Sequence, residues 1–175
     1  MRAFRLWSVR HSRALMKLYD LFEGTILAIE PLARGIGYDR LEAPVRVVER
    51  GIKKAMFDCQ MCGQCALSST GMSCPMNCPK NLRNGPCGGV RSDGQCEVKP
   101  YMPCVWVKAW EGSQAMASEK LFDVQRPVGH RMKDSSSWLR LMRQKKDGTY
   151  PQPGASAREE ARKRAMAAKT ALSDA

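Results

Sequence analysis

Eight cysteines lie between Cys59 and Cys104, a stretch of 46 residues, and the other 129 residues of the chain contain none. Scattered buried thiols do not produce such a concentration. It leaves three organisers for the middle of the chain: a disulfide framework, zinc sites or iron–sulfur clusters. The stretch is also punctuated by Gly63, Gly71, Pro75, Pro79, Gly85, Pro86, Gly88, Gly89, Gly94, Pro100 and Pro103. It has almost no helical or strand periodicity. Such a segment cannot bury enough apolar surface to offset its chain entropy, so a bound inorganic core is its natural organiser.

The spacing within the cluster is informative. Cys59-Gln-Met-Cys62-Gly-Gln-Cys65 is a C-x₂-C-x₂-C run, which lets one tight loop present three thiolates to one centre, as in ferredoxin-type clusters. Gly63 eases the backbone there because it tolerates positive φ. Cys74-Pro75 and Cys78-Pro79 follow, and a Cys-Pro pair also closes the bacterial ferredoxin run. Cys87, Cys96 and Cys104 come later at wide gaps. Two [4Fe–4S] clusters of four thiolates each would use every cysteine. The rivals are one [4Fe–4S] plus one zinc, zinc alone, and disulfides; Cys62-x₂-Cys65 fits half a zinc ribbon, but the triple run has one thiol too many for a simple knuckle. The expected ligands are therefore Cys59, Cys62, Cys65, Cys74, Cys78, Cys87, Cys96 and Cys104. Spacing does not say which four share a centre; the expected grouping puts Cys59, Cys62 and Cys65 with one more distant cysteine and the rest together. Met61, Met72, Met76 and Met102 either shield these centres from water or simply pack.

Outside this zone the pattern is helical. Leu15, Tyr19, Phe22, Ile26 and Ile29 recur at steps of four and three, one face of an amphipathic helix that Pro31 should end, with Arg34-Gly35-Ile36-Gly37 as a loop. A second helix is expected from Pro44, with Val45, Val48, Ile52 and Met56 as its apolar face. Val105–Trp110 and Ser135–Arg143 read as short helices, the latter capped by Ser135 or Ser136. Ala155–Leu172 has the composition of a solvent-exposed helix or a frayed basic tail. The chain thus divides into N-terminal amphipathic helices (1–58), a cysteine-rich domain (59–143) and a basic Ala/Arg-rich tail (144–175). The expected fold class is mainly α, with an irregular Cys/Gly/Pro-rich metal-cluster-binding core and little strand. At 175 residues it is too short for a (β/α)₈ barrel, which takes about 250.

Charge narrows the function classes. The net charge is +12, and the excess belongs to the flanks, while the cysteine zone is almost neutral. Nucleic-acid readers usually carry their basic residues on the metal-organised element, so no nucleic-acid role is expected. Flanking charge instead suits docking to an acidic redox protein, contact with a partner subunit, or plain solvation. The basic N-terminus has no apolar h-region behind it, and no window reaches the ~18 apolar residues of a membrane span. A reducing cytoplasm is the expected compartment. His11 and His130, the only histidines, are read as surface or packing residues, and no nucleotide-binding, triad or HExxH motif occurs, so no catalytic residue is assigned.

The run from Cys59 through Gly63, Cys65, Cys74-Pro-Met-Asn-Cys78-Pro and Gly85-Pro-Cys87-Gly-Gly, with Gly94-Gln-Cys96-Glu-Val and Pro103-Cys104-Val-Trp106, resembles the methylenetetrahydrofolate reductase C-terminal domain family. That family includes the small iron–sulfur subunit of acetogen-type reductases. The likeness is strongest over 55–110 and extends through Ser135-Ser-Ser-Trp-Leu-Arg to about residue 143. The resemblance implies ligation by the eight cysteines and a separate barrel-fold catalytic subunit carrying FMN or FAD and tetrahydrofolate. It further implies electron transfer between that flavin and an outside carrier such as ferredoxin, in one-carbon metabolism. This chain is then a non-catalytic subunit, not expected to be active alone. The contrasting expectation is a zinc- or cluster-stabilised structural or assembly module that moves no electrons.

Overall fold

The computed structural model describes residues 2–122 and 127–148. Six α-helices run α1 (Arg2–Arg10), α2 (Ser12–Ala28), α3 (Glu30–Ile36), α4 (Tyr38–Phe57), α5 (Val105–Met116) and α6 (Ser137–Lys146). Between α4 and α5 lies the cysteine segment. Its regular structure is limited to a 3₁₀ turn at Pro75–Asn77 and two isolated antiparallel bridges, Val90 with Cys96 and Gln95 with Pro103. Among the described residues there is no sheet, and the fold is mainly α around an irregular cysteine-rich centre. The segment expected to form a helix at Ala155–Leu172 lies outside the described residues.

The helices close around the cysteine segment. α1 and α2 pack on α5, α1 and α3 on α4, and α6 on α4 and α2. Small buried hydroxyls allow two of these approaches: Ser8 Oγ donates to the Met56 carbonyl at 3.1 Å and Ser12 Oγ to the Gly112 carbonyl at 3.0 Å. Leu15 packs with Phe57, Leu67 and Met72, while Ile26 packs with Ala33, Leu139, Leu141 and Met142, flanked by Phe22, Tyr19 and Trp138. The inward face of α2 is thus the one its periodicity predicts, except that Ile29 at its end is half exposed.

Three expectations need correction. α2 does end just before Pro31, at Ala28, but no loop follows: Pro31 occupies the first turn of α3, where a missing N–H costs nothing, and helix continues through Arg34-Gly35-Ile36 to a break at Gly37. Gly37 adopts φ 98°, a conformation that favours glycine. Second, α4 starts at Tyr38, six residues before Pro44, which sits inside it. The early turn is anchored from outside: the Tyr38 hydroxyl donates to Glu30 Oε1 at 2.6 Å, and the Arg143 guanidinium lies 4.7 Å from the Tyr38 ring centroid. Third, the expected apolar face of α4 packs inward only at its ends: Val45 packs on the cluster of Ile26 and Leu139 and Met56 on that of Leu15 and Phe57, but the two middle residues do not. Val48 and Ile52 are 55% and 47% exposed, whereas Glu49 and Lys53 are 1% and 5% exposed.

The reason lies at the start of α6. Four orphan N–H groups open any helix and attract negative charge. Here α4 supplies it: Glu42 Oε1 accepts from Ser136 N–H at 2.6 Å, and the Glu49 carboxylate accepts from Ser137 N–H at 3.3 Å and Trp138 N–H at 3.4 Å. Ser136 is the N-cap, its Oγ accepting from Leu139 N–H at 3.3 Å and donating to Glu49 Oε2 at 2.7 Å. The inward face of α4 therefore carries this polar junction beside Val45, while Val47 and Val48 turn outward.

Candidate metal centre

α4 ends at Phe57, two residues before the first cysteine. Asp58 takes a left-handed conformation (φ 53°) and its N–H returns to the Lys54 carbonyl at 3.0 Å, while Cys59 N–H reaches the Lys53 carbonyl at 3.4 Å. The chain then turns on two further positive-φ residues, Met61 (46°) and Gly63 (69°), which curl Cys59, Cys62 and Cys65 into one loop. A Cβ on Gly63 would stand 2.2 Å from the Met132 carbonyl oxygen, so only glycine fits there. The loop is also tied down: Asp134 N–H donates to the Met61 carbonyl at 2.8 Å and Arg140 to the Gly63 carbonyl at 3.0 Å.

From Ala66 the chain folds into a compact turn. Thr70 Oγ1 bonds both the Ala66 and the Ser73 carbonyls at 2.8 Å. Ser73 Oγ donates to the Val105 carbonyl at 2.9 Å, which fixes Cys74 against the start of α5. The outcome is one pocket, partly open to solvent, walled by Cys59, Cys62, Cys65 and Cys74 together with Lys53 and Arg83. Cys74 is the other cysteine that lines this pocket with the triple run.

The electrostatics of this cavity are those of crowded thiols among buried cations. Burial pushes the Cys59 thiol up to about 11, with Cys65 and Cys62 adding to the rise and Lys53 opposing it. Burial pushes Cys74 higher still, and Cys59, Cys62 and Cys65 all contribute. Lys53 is held above its ordinary value: burial works against its charge, but Cys65, Glu49 and Cys59 outweigh it. The buried Arg83 directs an N–H at Cys62 Sγ, 3.6 Å away.

Cys78, Cys87, Cys96 and Cys104 are not among the residues that wall this pocket. Cys96 and Cys104 are buried and belong to the small ladder of Gly94–Met102–Pro103: Cys96 N–H donates to the Met102 carbonyl at 2.9 Å and Cys104 N–H to the Gly94 carbonyl at 3.0 Å. Cys78 is buried after the 3₁₀ turn, and the exposed Cys87 points a thiol at Glu97, 3.9 Å from Oε1. Lys80 pairs with Glu97 and lies within electrostatic reach of Cys87 and Cys96. All eight cysteines are free thiols, and among the described residues no three His, Cys, Asp or Glu side chains gather closely enough for a single metal ion. His11 is exposed and stacked on Trp7, and His130 is exposed. Met61 walls the cavity, whereas Met72 packs with Leu15 and Phe57.

A family model described as methylene-tetrahydrofolate reductase C terminal matches residues 38–131, more than half of the chain. The chain belongs to this family. The match opens on the first residue of α4, so it takes in Glu49 and Lys53 as well as all eight cysteines, and it closes before α6. Membership links the chain to methylenetetrahydrofolate reductase. No curated protein and no solved structure matches it. Among the described residues no helix is long and apolar enough to cross a membrane.

Sequence reasoning missed Glu49, Lys53 and Arg83. The signals were present: an i,i+4 Glu–Lys pair one turn before the cysteine run, and a Ser-Ser-Ser-Trp segment able to receive it. An i,i+4 charge pair ordinarily marks a solvated face, and nothing local distinguishes a buried one.

Proposed function

We propose that this chain is the iron–sulfur electron-transfer subunit of a methylenetetrahydrofolate reductase complex. It holds one [4Fe–4S] cluster on Cys59, Cys62, Cys65 and Cys74 and a second centre on Cys78, Cys87, Cys96 and Cys104. The observation that carries the reading is the four-thiol cavity with Lys53 and Arg83 in its wall. The donor set fits: a cubane takes four soft thiolates, one on each of four irons, so its ligands surround a volume. A single zinc ion instead draws its sulfurs to about 2.3 Å from one point. When bound, such clusters carry single electrons.

The protein's own residues do the rest. The buried Cys62 and Met61 shield one side of the site, and the Lys53 ammonium and Arg83 guanidinium offset thiolate charge that the low-dielectric interior would otherwise oppose. Flavin and folate belong, in this proposal, to the barrel-fold catalytic partner, and the basic flanks of the sequence serve an acidic carrier of the ferredoxin type. At the second centre zinc is the alternative, since Cys₄ zinc sites are common staples. A wholly structural role would follow if both centres were redox-silent.

The test is to reduce the anaerobically purified chain with dithionite, remove excess reductant, and add the reductase flavoprotein with which it co-purifies. Bleaching of the flavin absorbance in step with cluster reoxidation is the expected result. An unchanged flavin spectrum, with the metal remaining silent to reductant, would leave only the structural role.

A further inference from the structure

Glu49 and Lys53 wall the same cavity as the four thiols, and both are buried. The Lys53 Nζ donates to Glu49 Oε1 at 2.6 Å and to Ser137 Oγ at 2.7 Å, and it lies 5.2 Å from the centroid of the Trp138 ring. Fastening α4 to α6 does not require this. Buried ion pairs can often be replaced by well-packed apolar residues with no loss of stability, and Glu49 alone already meets the N–H groups of α6. What an apolar pair would not supply is a positive charge on the thiol side of the junction. Cys65 and Cys59 are among the groups with which the ammonium interacts most strongly.

We infer that Lys53 sets the reduction potential of the centre on Cys59, Cys62, Cys65 and Cys74, with Glu49 as the counter-charge that fixes the ammonium in place and moderates it. The inference rests on the iron–sulfur reading above. Adding one electron makes a centre more negative by one unit. A nearby cation therefore stabilises the reduced form more than the oxidised form, and a nearby carboxylate does the reverse. Both groups are buried, where solvent and salt screen them little. Arg83, donating toward Cys62 Sγ, works in the same direction as Lys53. The Lys80–Glu97 pair beside Cys87 and Cys96 provides a contrast: both of its side chains are 41% exposed, so its field is screened.

Lys53 is thus a positioning and tuning residue rather than a ligand, and opposite signs separate that role from a structural one. In EPR-monitored redox titrations of the anaerobically purified full chain, Lys53→Met is expected to lower the equilibrium constant for reduction at least tenfold, 59 mV for one electron. Lys53→Arg should recover most of the loss. Glu49→Gln should move the potential the other way, and Lys80→Met should leave this signal in place. If Lys53→Met fails to load its cluster, the positive shift of Glu49→Gln still decides. Normal iron content with an unmoved potential in Glu49→Gln, or shifts of the same sign in the Lys53 and Glu49 variants, would overturn the inference. A wild-type chain with no iron–sulfur signal would overturn this inference and the proposed function together.

Discussion

Replacing Gly112 with alanine sets two effects against each other. Gly112 lies inside α5, where alanine is favoured over glycine by about 1 kcal/mol. Yet its α-carbon faces the backbone of Gly71, and a Cβ there would stand 2.1 Å from the Gly71 carbonyl oxygen and 2.8 Å from its carbon. Neither neighbour is a movable side-chain tip. α5 and the loop must separate, and overpacking of this kind costs about 1–3 kcal/mol or more. At 2.1 Å against backbone the upper end applies, so the net loss should be about 2 kcal/mol, after subtracting the helix-propensity gain. For a chain of this size that is a fall in melting temperature of about 4–8 °C. Gly51, inside α4 with nothing within 4 Å of its Cβ position, is the control: Gly51→Ala should raise stability by up to about 1 kcal/mol. Thermal unfolding of the anaerobic holo-protein, followed by far-ultraviolet circular dichroism at one scan rate, reads both. If Gly112→Ala melts at or above the wild type, the close Gly71–Gly112 packing that holds the Cys65–Cys74 turn against α5 is wrong.

Other consequences follow from the same geometry. If Cys59 and Cys74 serve one centre as proposed, Cys59→Ser, Cys74→Ser and the double variant should all lose the same share of iron and sulfide; a double variant that loses more than either single variant would contradict the grouping. Ser136→Ala removes the N-cap of α6 and a partner of Glu49 Oε2, at a combined cost of about 2 kcal/mol, while Ser136→Thr should keep most of the stability; a loss below about 0.5 kcal/mol in thermal unfolding would count against the junction. Cys59 and Cys74 are held protonated by burial, Cys59 up to about 11, so metal uptake must displace their protons. Reconstitution affinity should therefore rise with pH between 6.5 and 8.5, by up to about tenfold per unit for each proton released, and a flat profile would refute the assignment.

The loop that brings Cys59, Cys62 and Cys65 together is legible in the sequence because cysteine spacing is a local property. The C-x₂-C-x₂-C loop needs only a few turns of backbone, and Gly63 is placed where its φ of 69° requires it. The Ser136 cap and the inward stripe of α2 are local patterns too. The misread parts depend on partners far along the chain. Val48 and Ile52 carry the apolar signal on α4, but the face that turns inward is chosen by the N-terminus of α6, more than eighty residues away, which draws in Glu49. Pro44 reads as a helix start, yet the preceding turn is held by Tyr38 with Glu30 and Arg143. The approach of Cys74 to the loop depends on the Ser73 and Thr70 bonds that fold it back. None of these pairings leaves a periodic trace.

Iron and acid-labile sulfide, measured with zinc on the anaerobically purified full chain, bear most directly on this account. It predicts about four irons and about four sulfides on the cavity of Cys59, Cys62, Cys65 and Cys74, and about eight of each if the second centre is also a cluster. A chain that carries zinc alone, with no labile sulfide, would contradict it.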